Sequence, residues 1–185
     1  MSSAPNDDAL NQDPLNNHFW RYNMRRLTAE EIRDSVLMVS DHFNPKVGGP
    51  SVFPTLPQEV LATASKAESR WKLDAGPEHQ NRRSIYTFTR RSLLDPLISS
   101  FDAADTDTSC PVRFNTTVPG QALTMMNSSF MAKHAKLLTK RIQETSPEGT
   151  ESFVKTGFEL VLARKPDESE LKISIDLIQS MQQDF

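Results

Sequence analysis

Thr28-Ala29-Glu30-Glu31-Ile32-Arg33-Asp34-Ser35-Val36-Leu37-Met38-Val39-Ser40-Asp41-His42-Phe43-Asn44-Pro45 is the stretch that decides the fold class. Thr28 has the hydroxyl of a helix cap, and Glu31, three residues on, can reach back to the cap's own N–H; together they form a capping box. Ile32, Val36, Leu37, Val39 and Phe43 follow at near-helical spacing, so one face is apolar and packs inward. Asn44-Pro45 closes the run, because a residue before proline avoids the helical region.

The same pattern recurs through the second half of the chain. Pro119 suits the first turn of a helix reaching Met126, and Asn127-Ser128 caps or kinks the next one. That next helix carries Phe130, Met131, Ala135, Leu138 and Ile142. A further helix starting near Ser146-Pro147 carries Phe153, Phe158, Leu160, Val161 and Leu162. Asp167 and Glu170 repeat the capping box ahead of Leu171, Ile175, Ile178 and Met181. The short Arg164-Lys165-Pro166 link folds residues 146–185 into an antiparallel helical hairpin. Shorter helices are predicted at 58–64 and 92–101, the latter with Pro96 early in it. Another is predicted from Asp13-Pro14, with Leu15, Phe19, Trp20 and Met24 on one face.

Between these runs lie long loops. Residues 44–57 hold Pro45, Gly48, Gly49, Pro50, Pro54 and Pro57, which exclude a regular element. Val47, Val52, Phe53 and Leu56 give that segment apolar anchors, so it reads as an ordered loop laid over the core. Residues 65–80 read as exposed, apart from a packed Trp71. Ser84-Ile85-Tyr86-Thr87-Phe88-Thr89-Arg90 is the one convincing strand, rich in β-branched and aromatic residues. The expected fold is therefore mainly α: a helical domain with long ordered loops, a minor β element and a C-terminal antiparallel helical hairpin. Residues 1–13 read as a disordered polar lead, and 14–185 as the C-terminal part of one mainly α domain.

Composition narrows the function classes. A net charge of -3 argues against a nucleic-acid binder, which needs a basic excess to neutralise phosphates. No apolar run approaches a membrane span. Met1 to Pro14 lacks the charged and apolar regions of a signal peptide. The single cysteine, Cys110, cannot form an internal disulfide, and no Cys-x-x-Cys-His haem attachment is present, so no cofactor is expected in this chain.

Several segments together carry a family resemblance. They are Phe19 to Asp34, Gly48-Gly49-Pro50-Ser51-Val52-Phe53-Pro54 and Asn81 to Tyr86. The most specific are Phe101-Asp102-Ala103-Ala104-Asp105, Cys110-Pro111-Val112-Arg113-Phe114 and Thr117 to Leu123. From about residue 14 onward the chain resembles the PSD-type carboxyl-terminal domain of unknown function of large, cytochrome-c-associated planctomycete and related bacterial proteins. It looks like the C-terminal part of that domain. The resemblance implies an exported or periplasmic parent protein, with an upstream domain of that parent as partner. It carries over no catalytic residue.

Four constellations could carry chemistry. Asp102, Asp105, Asp107 and Ser109 crowd oxygen ligands into one loop, as calcium prefers, but the EF-hand glycine and terminal Glu are missing. Local capping by those side chains is the preferred reading. Cys110, Arg113, Thr117, Gln121 and Asn127 are the polar residues of the most family-like segment. They read as a buried thiol and a buried Arg–carboxylate network, since no histidine motif stands near the cysteine. His18, His42, His79 and His134 contain no pair at helical metal-site spacing, so no metal is expected. Arg82, Arg83, Arg90 and Arg91, with Tyr86, form either a patch for an acidic glycan or a solvated face. Met125-Met126 reads as core filler rather than a haem ligand.

The expected function is a non-catalytic or accessory module that packs against an upstream domain. Two alternatives stand beside it. One is part of an enzyme acting on polysaccharides, with Asp102, Asp105, Arg113 and Gln121 lining a cleft. The other is a glycan-binding module built on the arginines and Tyr86.

Overall fold

The computed structural model describes residues 6–63, 71–72, 76–106, 108–146 and 149–183. Among them are α1 (Asp7–Gln12), α2 (Ala29–Val39), α3 (Gln58–Ala62), α4 (Pro77–Gln80), α5 (Pro96–Ser100), α6 (Pro119–Asn127), α7 (Ser129–Thr145), α8 (Thr150–Leu162) and α9 (Glu168–Gln183). The fold is mainly α. No strand forms among the described residues; three isolated bridges join Asn44 to Arg82, Val52 to Thr87 and Arg90 to Leu93.

Helix α2 is the axis on which the domain is assembled. Its capping box is complete: Glu31 N donates to Thr28 Oγ1 at 3.3 Å, and Thr28 N donates to a Glu31 carboxylate oxygen at 2.8 Å. Ala29, Arg33 and Leu37 recur every fourth residue and are buried. This stripe meets α5, α7 and the turn at Ser84–Tyr86. Ala29, Leu97 and Phe101 form one core cluster, closed by Ile32, Ile98, Met125 and Phe130. The helix ends earlier than Asn44: Ser40 caps it, Asp41 turns left-handed at φ 59°, and His42 N donates to Leu37 O. Phe43 therefore lies outside the helix.

A second cluster, Leu56, Trp71 and Leu93, sits beneath the loop that precedes α3. Trp71 is buried as expected, and its Nε1 donates to Pro54 O at 2.9 Å. The remaining residues between 64 and 75, apart from Lys72, lie outside the described set. Phe53 meets the Trp71 ring edge-on and stacks on Phe88 at 4.7 Å.

The strand expected at 84–90 is a correction. Ser84–Tyr86 is a 3-10 turn. Asp34 sets it, accepting from Ser84 N at 2.8 Å and Ser84 Oγ at 2.7 Å. The aromatic and β-branched character of the segment serves packing against the proline-rich loop instead. Val52 N donates to Tyr86 O and Phe88 N donates to Val52 O, which makes one bridge rather than a ladder. Long-range side-chain bonds have overridden local strand preference here.

The amino-terminal reading also changes. A helix, α1, occupies Asp7–Gln12 inside the expected loose lead, capped by Asn6. Asp13 ends this helix rather than starting the next one. Residues 13–27 form a loop, because Asp13 and Asn16 supply the partners that a helix would have supplied. Further on, Ser128 caps α7, its Oγ accepting from Met131 N. Helices α8 and α9 form the expected hairpin, although α8 starts at Thr150 rather than near Ser146. Ala163 turns the chain at φ 52°, and Asp167 and Glu170 exchange reciprocal capping bonds.

Candidate functional site

Two neighbouring cavities flank Asp95, the residue that caps α5. The larger, about 390 Å³, is walled by Trp71, Phe88 and Leu93, with Glu30, Asp105 and Arg113 at its polar side. The smaller, about 260 Å³, is walled by Asn81, Phe130, Lys133 and His134. Asp95 Oδ1 accepts from Leu97 N at 2.9 Å. Burial pushes its carboxyl up from the ordinary aspartate range, against that hydrogen bond and the Arg33 charge.

Of the sequence candidates, Asp105 and Arg113 share the larger cavity, Asp102 meets Arg113 in a smaller hollow, and Gln121 lines neither. Asp102 lies at φ 57° and accepts from Thr116 N at 2.8 Å, a bond that holds its carboxyl below the usual range. Arg26 stands 3.8 Å away. Arg113 forks onto the two Glu30 oxygens at 2.9 and 2.7 Å. Burial pushes the Glu30 carboxyl up, but the Arg113 bonds and others outweigh it and leave the group below its usual range. Gln121 is buried and acts as a staple: Nε2 donates to Ser100 O at 3.0 Å, and Oε1 accepts from Val118 N. Asp105 accepts from Thr108 Oγ1 at 3.0 Å. Asp107 of the proposed oxygen-rich loop lies outside the described residues. Among the described residues, no three of His, Cys, Asp and Glu converge on one point.

Cys110 corrects the expectation of a buried thiol. It is exposed, with Sγ 3.5 Å from Val112 O. Its segment carries no core: Val112 and Phe114 are among the most exposed apolar residues of the chain. Met126 is also exposed, and of the methionine pair only Met125 packs on the core.

The arginines divide between interior and surface. Arg83 and Arg91 are exposed, whereas Arg82 is 3% exposed. Arg82 Nη1 donates to Pro50 O at 3.0 Å, and Nη2 reaches the carbonyls of Lys46 and Gly48. Its guanidinium lies 3.9 Å from the centre of the Tyr86 ring. The Tyr86 hydroxyl in turn accepts from Gly48 N at 2.8 Å. Arg82 and Tyr86 thus clamp the glycine-proline loop. Beside them, Arg33 donates to the carbonyls of Arg82 and Gln80 and to Ser84 Oγ. Burial lowers the proton affinity of Arg33, with Asp34 and Asp95 opposing. The sequence reading missed Arg33; its place on the Ala29–Leu37 stripe was the available signal.

His134 was also missed as a site residue. It is 2% exposed, on the inner face of α7. Its Nδ1 lies 2.7 Å from Ser40 Oγ. Ser40 has one hydroxyl hydrogen, and that hydrogen is committed to the carbonyls of Val36 (2.8 Å) and Leu37 (3.1 Å), which only accept. With that hydrogen on the helix carbonyls, Ser40 Oγ accepts from His134 Nδ1–H, the tautomer that leaves a lone pair on Nε2. Burial, then the charges of Lys133, His42 and Arg33, lower the His134 pKa to about 4, so the ring is neutral at pH 7.

The loop 13–27 is polar inside and apolar outside. Asp13 and Asn16 are buried. The Asp13 carboxylate accepts from Asn17 N at 2.9 Å and His18 N at 2.8 Å, and Trp20 Nε1 donates to Asp13 O. Asn16 holds Arg21 through both its amide atoms and bonds Asn23. Around this polar centre Leu15, Phe19, Tyr22, Met24 and Leu27 face solvent. Phe19 sits at φ 54°, a region that costs a bulky residue on the order of 1–2 kcal/mol. Leu27 and Phe114 share the wall of a hollow of about 150 Å³ with Arg26, Asp102 and Arg113, so the loop and the 112–114 segment are neighbours.

No helix among the described residues is long and apolar enough to cross a membrane. No curated protein and no solved structure matches the chain. A family model, described as PSD1, protein of unknown function (DUF1553), matches residues 1–178. The resemblance carried by Phe19–Asp34, Gly48–Pro54, Asn81–Tyr86, Phe101–Asp105, Cys110–Phe114 and Thr117–Leu123 thus extends over almost the whole sequence, and the chain belongs to the PSD1 (DUF1553) family of proteins of unknown function.

Proposed function

We propose that this domain is a non-catalytic docking module of an exported, cytochrome-c-associated multidomain bacterial protein, and that it packs against the upstream domain of that parent. One observation carries the reading. The 13–27 loop spends its polar groups on holding itself in shape while presenting Leu15, Phe19, Tyr22 and Met24 to water. Preorganised aromatic and methionine side chains are the material of interface cores, and they lose little conformational entropy on docking. The positive φ of Phe19 fits the same reading, since strain at a surface aromatic persists where something else requires it. Asp102, Arg113 and Gln121 spend their polar groups on bonds that hold the fold together, which favours docking over catalysis.

Thermal melting of the 185-residue chain with the upstream domain added in trans tests this. Binding to the native state raises the melting temperature by mass action. Phe19→Gly should remove that rise while leaving the melt of the chain alone within about 1 kcal/mol, because glycine relieves the left-handed strain but adds unfolded-state entropy. A melting temperature that ignores the added domain would overturn the proposal.

A further inference from the structure

We propose that the cavity walled by Asn81, Asp95, Phe130, Lys133 and His134 is a binding site for one ring of a small neutral polyol, such as a sugar or a cyclitol. The residues of this cavity are separate from the docking loop. Its volume is about 260 Å³. That is just under the range of about 300–1,000 Å³ for sites that hold drug-sized molecules, so the occupant is small.

Two polar side chains in its wall are more than nine-tenths buried and keep hydrogen-bonding capacity that the protein does not use. Asn81 is 7% exposed and His134 is 2% exposed. The backbone carbonyl of Asn81 accepts from Asn44 N, but its side-chain amide has no hydrogen-bond partner among the described residues. His134 uses Nδ1 on Ser40 and leaves the lone pair of Nε2 without a donor among the described residues. Neither group is among the polar atoms sealed from solvent without a partner, so both open onto the cavity and are free to pair with its occupant.

The chemistry of the wall selects the partner. Arg33 and Lys133 line the cavity with Asp95 as the one carboxylate, a balance that disfavours a cationic ligand. An anion fares no better: it would meet the His134 lone pair and the Asp95 carboxylate, while Arg33 already donates to Arg82 O, Ser84 Oγ and Gln80 O. What suits the set is a ligand whose groups both donate and accept. Hydroxyls donate to Nε2 and to Asp95, accept from Lys133, and do both with the Asn81 amide. Phe130 supplies an apolar surface for the C–H groups of a ring. Because His134 stays neutral down to about pH 4, its lone pair is available at neutral pH.

The test uses the full chain with 15N-labelled histidine, followed by multiple-bond 1H–15N spectra of the His134 ring. D-glucose, D-mannose and myo-inositol are titrated separately, with sodium acetate and methylammonium chloride as charged counterparts. At least one of the three polyols should move the Nε2 resonance and the Asn81 side-chain amide saturably, at millimolar concentration. Asn81→Ala, which removes no internal bond, should weaken that binding at least tenfold. The proposal fails if none of the three polyols moves the Nε2 resonance. It also fails if acetate or methylammonium moves it instead, or if Asn81→Ala binds as the original chain does. None of these readouts depends on the upstream domain, so they are separate from the docking test.

Discussion

Lowering the pH from 7 toward 4 forces a proton onto a histidine that the fold has built to stay neutral. His134 is 2% exposed, with Ser40 on Nδ1, the Phe130 ring 4.4 Å away and the Lys133, His42 and Arg33 groups nearby. Its pKa is about 4 in the folded chain against 6.5 for the free group. The unfolded chain therefore binds the proton more readily, and stability present above pH 6.5 is lost as the pH falls toward 4. At about 1.4 kcal/mol per tenfold change in proton affinity, the whole loss is about 3 kcal/mol, and about 2 kcal/mol is gone by pH 5. Against a typical net stability of about 5–15 kcal/mol this is a large share. Urea titrations followed by far-UV circular dichroism at several pH values measure it, with the midpoint moving by about 1 M at pH 5. His134→Asn is the control: its amide N–H can still donate to Ser40, but it does not titrate. The variant should be flat between pH 7 and 5.5, above the range where the carboxylates of the unfolded chain protonate. Parallel losses in the original chain and in His134→Asn would refute the assignment to this ring.

Arg82→Lys should destabilise the chain by about 2–4 kcal/mol, because an ammonium cannot span the Pro50, Lys46 and Gly48 carbonyls or lie flat on Tyr86; chemical denaturation reads the change. Asp13→Ala removes the acceptor for the Asn17 and His18 N–H groups and should lower the denaturation midpoint while speeding hydrogen exchange at both residues. Cys110 is exposed and should react with a thiol reagent in the native state at the rate of a free cysteine; protection by more than tenfold would contradict its placement.

Elements with a local cause could be read from the sequence. The capping boxes at Thr28–Glu31 and Asp167–Glu170 form as expected, and Pro96 and Pro119 both open helices. Where tertiary bonds decide, local pattern misled. Tyr86 and Phe88 suggested a strand, but Asp34, fifty residues earlier, turns Ser84 into a 3-10 segment. Asp13-Pro14 suggested a helix start, but the Asp13 carboxylate takes two N–H groups of the following loop for itself. The candidate site was less legible than the fold. Asp102 and Arg113 drew attention by residue type and are paired within the fold, with Thr116 and Glu30. Asn81 and His134 carried no motif, since their significance lies in burial without a full set of partners.

Hydrogen–deuterium exchange across residues 15–27 and 112–114, compared between the parent protein and the 185-residue chain alone, tests the docking claim most directly. The exposed apolar side chains of these segments should be covered by the upstream domain. The account predicts at least tenfold slower exchange there in the parent, with α8 and α9 unchanged. Equal exchange in the two forms, or protection confined to the hairpin, would contradict it.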